Sequence, residues 1–344
     1  MRGKLFSYEA SMLRPAFLPW RGAYLVLSAE RTLSRQPNYA IAAVRQLSLW
    51  FAAAFVAAGG RGPMTEQGRY RQSDQSSLDF GGPLAARHKA RLVGSGARLV
   101  VFSHGLGTDQ SAWDGIIERL PDDISALVFD LPGAGPLLPA GFDPDDYSSV
   151  GDYADDLLNL LDELGIERCT YVGHSVSGMI GVLASIEHPA RFEQLVLLNA
   201  SPRYLNAEGY VGGFEQAELD SLFTAMSDNY QAWVAGFAPA AVGVDVPEAI
   251  IDFTAGLLAM RPDVTARIAR MIFTSDLRHV LPMVSVPTLM IHAREDMAVP
   301  AAVGQYLNEQ IPGSRLEWID TAGHLPHLAA PDEVAAVLRA ALAD

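Results

Sequence analysis

The sequence predicts an α/β architecture: a mostly parallel sheet flanked by helices and carrying an all-helical insertion. Three features support it. From Arg91 onward, short apolar runs ending in small or polar residues alternate with amphipathic stretches. One long stretch, from Tyr204 to Leu281, accepts no strand. The residues with chemical promise fall in loops just past the apolar runs.

The apolar runs start at Arg98 (RLVVFS), Ser125 (SALVFD), Cys169 (CTYVG), Leu195 (LVLLN), Thr288 (TLMIH) and Leu316 (LEWID), and their continuous hydrophobicity fits strands covered on both faces. Between them, Asp152 to Leu164 sets Tyr153, Leu157, Leu158, Leu161 and Leu164 on one helical face, and Glu333 to Leu342 forms a similar closing helix. Within the insertion, Gly, Pro and Asp separate helical pieces from about Phe214 to Met226, Tyr230 to Ala238, Pro247 to Met260 and Pro262 to Phe273. Placed between two strands of the sheet, such an insertion reads as a lid. No internal repeat is visible.

With 344 residues the chain holds one large α/β domain, expected over 91–344, plus an appendage. Residues 1–63 are rich in arginine, whereas the acidic surplus lies downstream. This extension holds the apolar run LSLWFAAAFVAA (47–58), too short for a span of about 20 residues. It reads first as a poorly ordered extension upstream of a physiological start at Met64, with a membrane-associating segment and a displaced export signal as alternatives. Residues 64–90 turn polar and read as a lead-in or linker. A net charge of -15 argues against a nucleic-acid partner, because binding to phosphates needs a basic face. The single cysteine, Cys169, has no partner for an internal disulfide, and a reducing, cytoplasmic compartment fits it best.

The strongest local signal is Tyr171-Val-Gly-His-Ser-Val-Ser-Gly-Met-Ile, a strand entering Gly173-x-Ser175-x-Ser177 and then a helix. A sharp elbow exposes a serine hydroxyl, and small neighbours relieve the crowding of the turn, so Ser175 is the candidate nucleophile. Ser177 stands at the last small position, with Gly178 one place later. Upstream, Ser103-His-Gly-Leu-Gly-Thr-Asp-Gln-Ser-Ala-Trp113 follows a strand and offers the Leu106 amide, which with Val176 would form an oxyanion hole. Ile291-His-Ala-Arg-Glu-Asp leaves Asp296 before a Met-Ala-Val-Pro turn, which favours it over Glu295 as the orienting acid. Ile319-Asp-Thr-Ala-Gly-His-Leu-Pro-His327 puts His324 directly after Gly323, the choice for general base, while His327 reads as a local hydrogen-bonding residue. The order nucleophile, acid, histidine is the one expected on an α/β-hydrolase sheet. His104 and His174 read as packed, neutral histidines lining the site, and Asp130 as structural. Neither a metal-ligand spacing nor a dinucleotide fingerprint is present, and the chemistry calls for no cofactor.

From about Arg87 to Ala343 the chain resembles the α/β-hydrolase subfamily of the plant strigolactone and karrikin receptors and the bacterial stress-signalling hydrolase RsbQ. The stretches that carry the likeness include Leu92-Val-Gly-Ser-Gly, Gly173-His-Ser-Val-Ser-Gly-Met-Ile-Gly, Ala200-Ser-Pro-Arg-Tyr-Leu-Asn, Asn229-Tyr-Gln-Ala-Trp, Met260-Arg-Pro-Asp and Gly323-His-Leu-Pro. The resemblance implies a V-shaped helical lid, about 204–281, over a deep apolar pocket with the triad at its floor. It further implies a pocket lined by Leu106, His174, Val176, Tyr204, Phe214, Trp233, Phe237 and Phe273. Leu106 stands where the plant receptors usually carry phenylalanine. Two functions fit: a serine hydrolase cleaving a small hydrophobic ester or lactone, and a ligand sensor that recruits a signalling partner.

Overall fold

The computed structural model describes residues 78–79, 81–135 and 143–343. The extension 1–63, and the lead-in as far as residue 77, lie outside the described residues. The strands are β1 (Leu78–Asp79), β2 (Arg91–Val93), β3 (Arg98–Ser103), β4 (Ile124–Phe129), β5 (Cys169–His174), β6 (Phe192–Leu198), β7 (Thr288–Glu295) and β8 (Arg315–Ala322). The helices up to β6 are α1 (Pro83–Arg87), α2 (Asp114–Ile117), α3 (Val150–Glu163) and α4 (Val176–Glu187). Between β6 and β7 come α5 (Gln216–Asp228), α6 (Tyr230–Val242), α7 (Pro247–Ala259) and α8 (Pro262–Thr274), and then α9 (Ala301–Gln310), α10 (Pro326–Ala329) and α11 (Pro331–Ala343).

The sheet order is β1-β2-β4-β3-β5-β6-β7-β8. β2 runs antiparallel to both β1 and β4, and every pairing from β4 through β8 is parallel. All six strands legible as apolar runs are in the sheet. Their side chains divide between two cores: Val101, Leu127, Phe129, Leu195 and Leu197 pack with α3, α4 and the insertion, while Val100, Phe102, Val128, Val196 and Leu198 pack with Trp113 and α11. The two-residue period across each strand is what lets one run feed both layers.

The sheet begins earlier than residue 91. Residues 78–90, read from sequence as lead-in, carry β1 and α1. A segment this short is ordered by distant partners: Glu163 accepts from the Leu84 and Ala85 amides at 3.0 and 2.7 Å, supplying the cap that Gly82 lacks. Helix α3 also starts two residues before Asp152, because the Ser149 hydroxyl accepts from the Asp152 amide and the Asp152 carboxylate accepts from the Ser149 amide.

Three of the insertion helices start where their signals place them, with Asn229 capping α6 and prolines opening α7 and α8; α5 begins at Gln216, two residues past Phe214, behind a capping box of Glu215 and Glu218. The Tyr230 hydroxyl donates to the Leu257 carbonyl at 2.6 Å, tying α6 to α7. Among the described residues, no helix is long and apolar enough to cross a membrane.

Candidate active site

The loops at the carboxyl ends of β3, β5, β6, β7 and β8 converge on one point, as is general for ligand sites on parallel sheets. β5 ends at His174 and α4 begins at Val176, leaving Ser175 between them at φ 57°, ψ -122°. That conformation is costly for a residue with a side chain, and the surroundings hold it. A Cβ on Gly173 would lie 2.4 Å from the Ser177 carbonyl oxygen, and one on Gly178 would lie 2.5 Å from the Ala200 Cβ. Ser177 fits because its hydroxyl is used: it donates to the His104 carbonyl at 2.5 Å and accepts from the Ser103 hydroxyl at 2.9 Å. The serine at this position therefore fastens the elbow to the loop after β3.

The Ser175 hydroxyl donates to His324 Nε2 at 2.8 Å, and His324 Nδ1–H donates to Asp296 Oδ2 at 2.7 Å. Asp296 Oδ1 accepts from the Ala298 and Val299 amides at 2.7 and 3.2 Å, so the turn that singled out this acid in the sequence also aims it. An acceptor-only carboxylate fixes the imidazole tautomer and leaves Nε2 free to take a proton. Glu295 is exposed and contributes its backbone carbonyl, which accepts from the Gly323 amide at 2.7 Å. The His324 amide donates to the Ala241 carbonyl at 2.6 Å, so the last turn of α6 holds the loop that carries the histidine.

The β3 loop lies directly against the nucleophile. A Cβ on Gly105 would sit 3.2 Å from the Ser175 Cβ and 2.6 Å from His174 Nδ1. Gly107, at φ 82°, turns the chain beneath Phe253 and Leu257 of α7. Val176 opens α4, where a helix amide has no intrahelical acceptor, and it shares a cavity wall with Leu106.

Three further histidines pack behind the triad. Burial pulls the pKa of His174 well below the ordinary range, and its Nε2–H donates to the His324 carbonyl at 2.7 Å. Burial also lowers His104, whose Nδ1–H donates to the Gly105 carbonyl and whose Nε2 accepts from the Leu131 amide. His327 differs from its sequence reading: neither ring nitrogen has a hydrogen-bond partner, and the ring stacks on Trp113 at 4.8 Å and lies 4.3 Å from His174. In that aromatic box the neutral form is favoured, and burial takes its pKa down to about 3.

The chain matches the Alpha/beta hydrolase family over residues 100–337. The chain belongs to the alpha/beta hydrolase family. Strigolactone esterase RMS3 of Pisum sativum is 48% identical to this hydrolase over 265 residues, spanning 76% of this chain and 99% of the relative. Karrikin insensitive 2 receptor CA of Petunia hybrida is 49% identical over 253 residues, spanning 73% and 94%. Among solved structures, a hydrolase from Oleispira antarctica superposes with a TM-score of 0.73 at 31% identity, covering 76% of this chain and 97% of that one.

The expected pocket aromatics pack in two groups. Tyr204 is buried with its hydroxyl 3.3 Å from Ser175 Oγ, and Phe273 packs on Tyr204 at 4.8 Å and on Phe214 at 5.6 Å. Burial pushes the Tyr204 phenol above its ordinary pKa, so it keeps its proton and donates to the serine oxygen. Trp233 and Phe237 stack on each other at 4.9 Å. A narrow cavity of about 20 Å³ beside the nucleophile includes Leu106 and Val176 in its wall, but none of these five aromatics, nor His174. Ile180, Met260, Ile268, Met271 and Ile272 complete the wall of this narrow space.

Sequence reasoning missed Asn199. At φ 45° just past β6, it donates from Nδ2 to Asp296 Oδ2 and to the Gly323 carbonyl, both at 3.0 Å, and accepts from the Ala293 amide at 2.9 Å. The one available signal was an asparagine closing an otherwise apolar strand run.

Proposed function

We propose that this hydrolase cleaves a small hydrophobic ester or lactone through an acyl-enzyme on Ser175. The observation that carries the reading is the unbroken relay of hydroxyl, imidazole and carboxylate at 2.8 and 2.7 Å. Ser175 Oγ attacks the carbonyl carbon while His324 Nε2 takes its proton. The amides of Leu106 and Val176 hold the oxyanion of the tetrahedral intermediate. The carbon–oxygen bond then breaks as His324 returns the proton to the leaving oxygen. Water adds to the acyl carbon, giving its proton to His324, and the collapse of the second intermediate releases the acid and restores Ser175. Asp296 keeps the imidazole in the tautomer that can accept. Residues 204–281 serve as the lid in this reading, and the lone buried thiol, its pKa raised to about 12 by burial, suits the cytoplasm.

A second reading has its own support. A relative at 49% identity is named a receptor, which favours ligand sensing with slow turnover and recruitment of a protein partner. Ser175→Ala tests the chemistry: hydrolysis of p-nitrophenyl esters should fall about 10⁴-fold or more, while ligand-induced thermal stabilisation persists. Full residual activity rejects the serine mechanism. Turnover of minutes per event, together with a large ligand-induced shift in melting temperature, selects the sensor; rapid turnover without partner capture selects the enzyme.

A further inference from the structure

We infer that Tyr204 is a further catalytic residue, whose phenol steadies the Ser175 oxygen as it leaves the acyl carbon and so sets the lifetime of the acyl-enzyme. The inference rests on the serine mechanism proposed above. Ser175 Oγ has two partners: it donates to His324 Nε2 at 2.8 Å and accepts from the Tyr204 hydroxyl at 3.3 Å. A hydroxyl oxygen carries one proton and two lone pairs, so with the proton aimed at the imidazole a lone pair remains for a donor. Tyr204 is only 2% exposed, and burial raises its pKa, so the phenol keeps the proton it offers.

The phenol is also mounted firmly. The Tyr204 carbonyl accepts from the Phe214 amide at 3.1 Å, and Phe273 packs on the ring. One residue earlier, the Arg203 carbonyl accepts from the Ser201 and Tyr210 hydroxyls at 2.8 and 2.7 Å, and the Arg203 guanidinium pairs with Asp276 at 2.7 Å. A donor fixed in place before the reaction costs no reorganisation when charge develops in front of it. The 3.3 Å contact is long for two hydroxyls, and it tightens as the serine oxygen gains charge.

The two halves of the reaction use this donor unequally. In the free enzyme Oγ is a good acceptor, so the bond to Tyr204 exists before the attack and is kept through it, and acylation gains little. In the acyl-enzyme Oγ is an ester oxygen, a poor acceptor because its lone pair is delocalised into the carbonyl. Once water has added and given its proton to His324, that delocalisation is lost. As the carbon–Oγ bond breaks, both its electrons pass to Oγ, His324 returns the proton there, and the acid departs with its carbonyl restored. The phenol O–H stays intact throughout, and its hydrogen bond strengthens with the negative charge on Oγ. An interaction stronger in the transition state than in the preceding ground state accelerates that step alone, and here the step is deacylation.

Tyr204→Phe removes the hydroxyl and keeps the ring that packs on Phe273. With p-nitrophenyl acetate, stopped-flow release of p-nitrophenolate reads acylation, and intact-protein mass of the acetylated enzyme reads its hydrolysis. The variant should acylate within about twofold of the parent rate, while the acetyl group persists on Ser175 about tenfold longer, the worth of roughly one hydrogen bond made in the transition state alone. With deacylation limiting, kcat and KM should fall together and kcat/KM stay near the parental value. A merely structural role would slow both steps alike. Equal slowing of the two, or an acetyl-enzyme cleared as fast as in the parent, overturns the inference. The mechanism beneath it is judged separately. An acetyl adduct on Ser175 whose lifetime does not change sinks only the role of Tyr204, whereas turnover with no adduct and an active Ser175→Ala sinks the serine reading itself.

Discussion

At Asn199 one amide side chain joins three segments that are far apart in sequence. Its donors reach Asp296 and the Gly323 carbonyl, and its oxygen takes the Ala293 amide. It therefore sets the lateral position of the acid and of the loop that presents His324. A relay whose members shift by about 1 Å loses on the order of 10²-fold in rate. Asn199→Ala should accordingly lower kcat by about 10²-fold with KM little changed, and should also destabilise the fold, since each buried group left without a partner costs about 1–3 kcal/mol. Steady-state kinetics combined with urea unfolding reads both effects, and a parental kcat would remove the positioning role. A single sequence marks this residue only as an asparagine closing an apolar run, because its partners lie 94, 97 and 124 positions away. Ser175, by contrast, is legible from its neighbours, since the elbow is a local structure whose small residues are all within a few positions.

Between elements, the decisive contact is where α6 ends against the His324 loop. Gly243 closes α6 at φ 72°, and a Cβ there would lie 2.6 Å from the Gly323 Cα. Gly323, at φ 99°, is crowded in turn by the Val242 carbonyl, and the next amide bonds to the Ala241 carbonyl. Gly243→Ala should push these two backbones apart, costing about 1–3 kcal/mol of backbone strain and reducing kcat at least tenfold while circular dichroism stays that of the parent. An unchanged kcat would mean that the histidine loop holds its place without α6. The insertion helices were legible because prolines, an asparagine cap and glycines delimit them locally. β1, α1 and β2 were not, because they are short and edge-bound and owe their order to Glu163 and to pairing with β4.

For the molecule as a whole, the buried histidines dictate how stability depends on pH. Burial lowers His104 and His174, and takes His292 down to about 4 and His327 to about 3. Above pH 6.5 these rings are neutral whether the chain is folded or not, and they contribute nothing to the pH dependence. Below that value the unfolded chain binds protons that the folded one refuses, so stability falls as pH drops from about 6.5 towards 4, by up to about 1.4 kcal/mol per unit for each group. The depressed carboxylates act lower: Asp276, held at about 2 chiefly by Arg278, contributes stability that is lost only as the pH falls below the ordinary carboxylate range. Urea midpoints should therefore decline steadily between pH 6.5 and 4.5, before the carboxylates titrate. A flat midpoint across that interval would show that these rings accept protons in the folded state.

The sequence by itself determined the alternation of strand and helix, the α/β-hydrolase class, the helical insertion and the order of nucleophile, acid and histidine. Each of these is written in local periodicity, in caps and in motifs a few residues long. Only the tertiary structure decided what converges: the 2.7 and 2.8 Å spacings of the relay, the role of Asn199 and the stacking of His327 on Trp113. It also decided which aliphatic side chains of α4 and α8 line the narrow space beside Ser175. The physical reason is that packing chooses among many residues of equal hydrophobicity by shape and chain path, and neither is encoded within any one short stretch of chain.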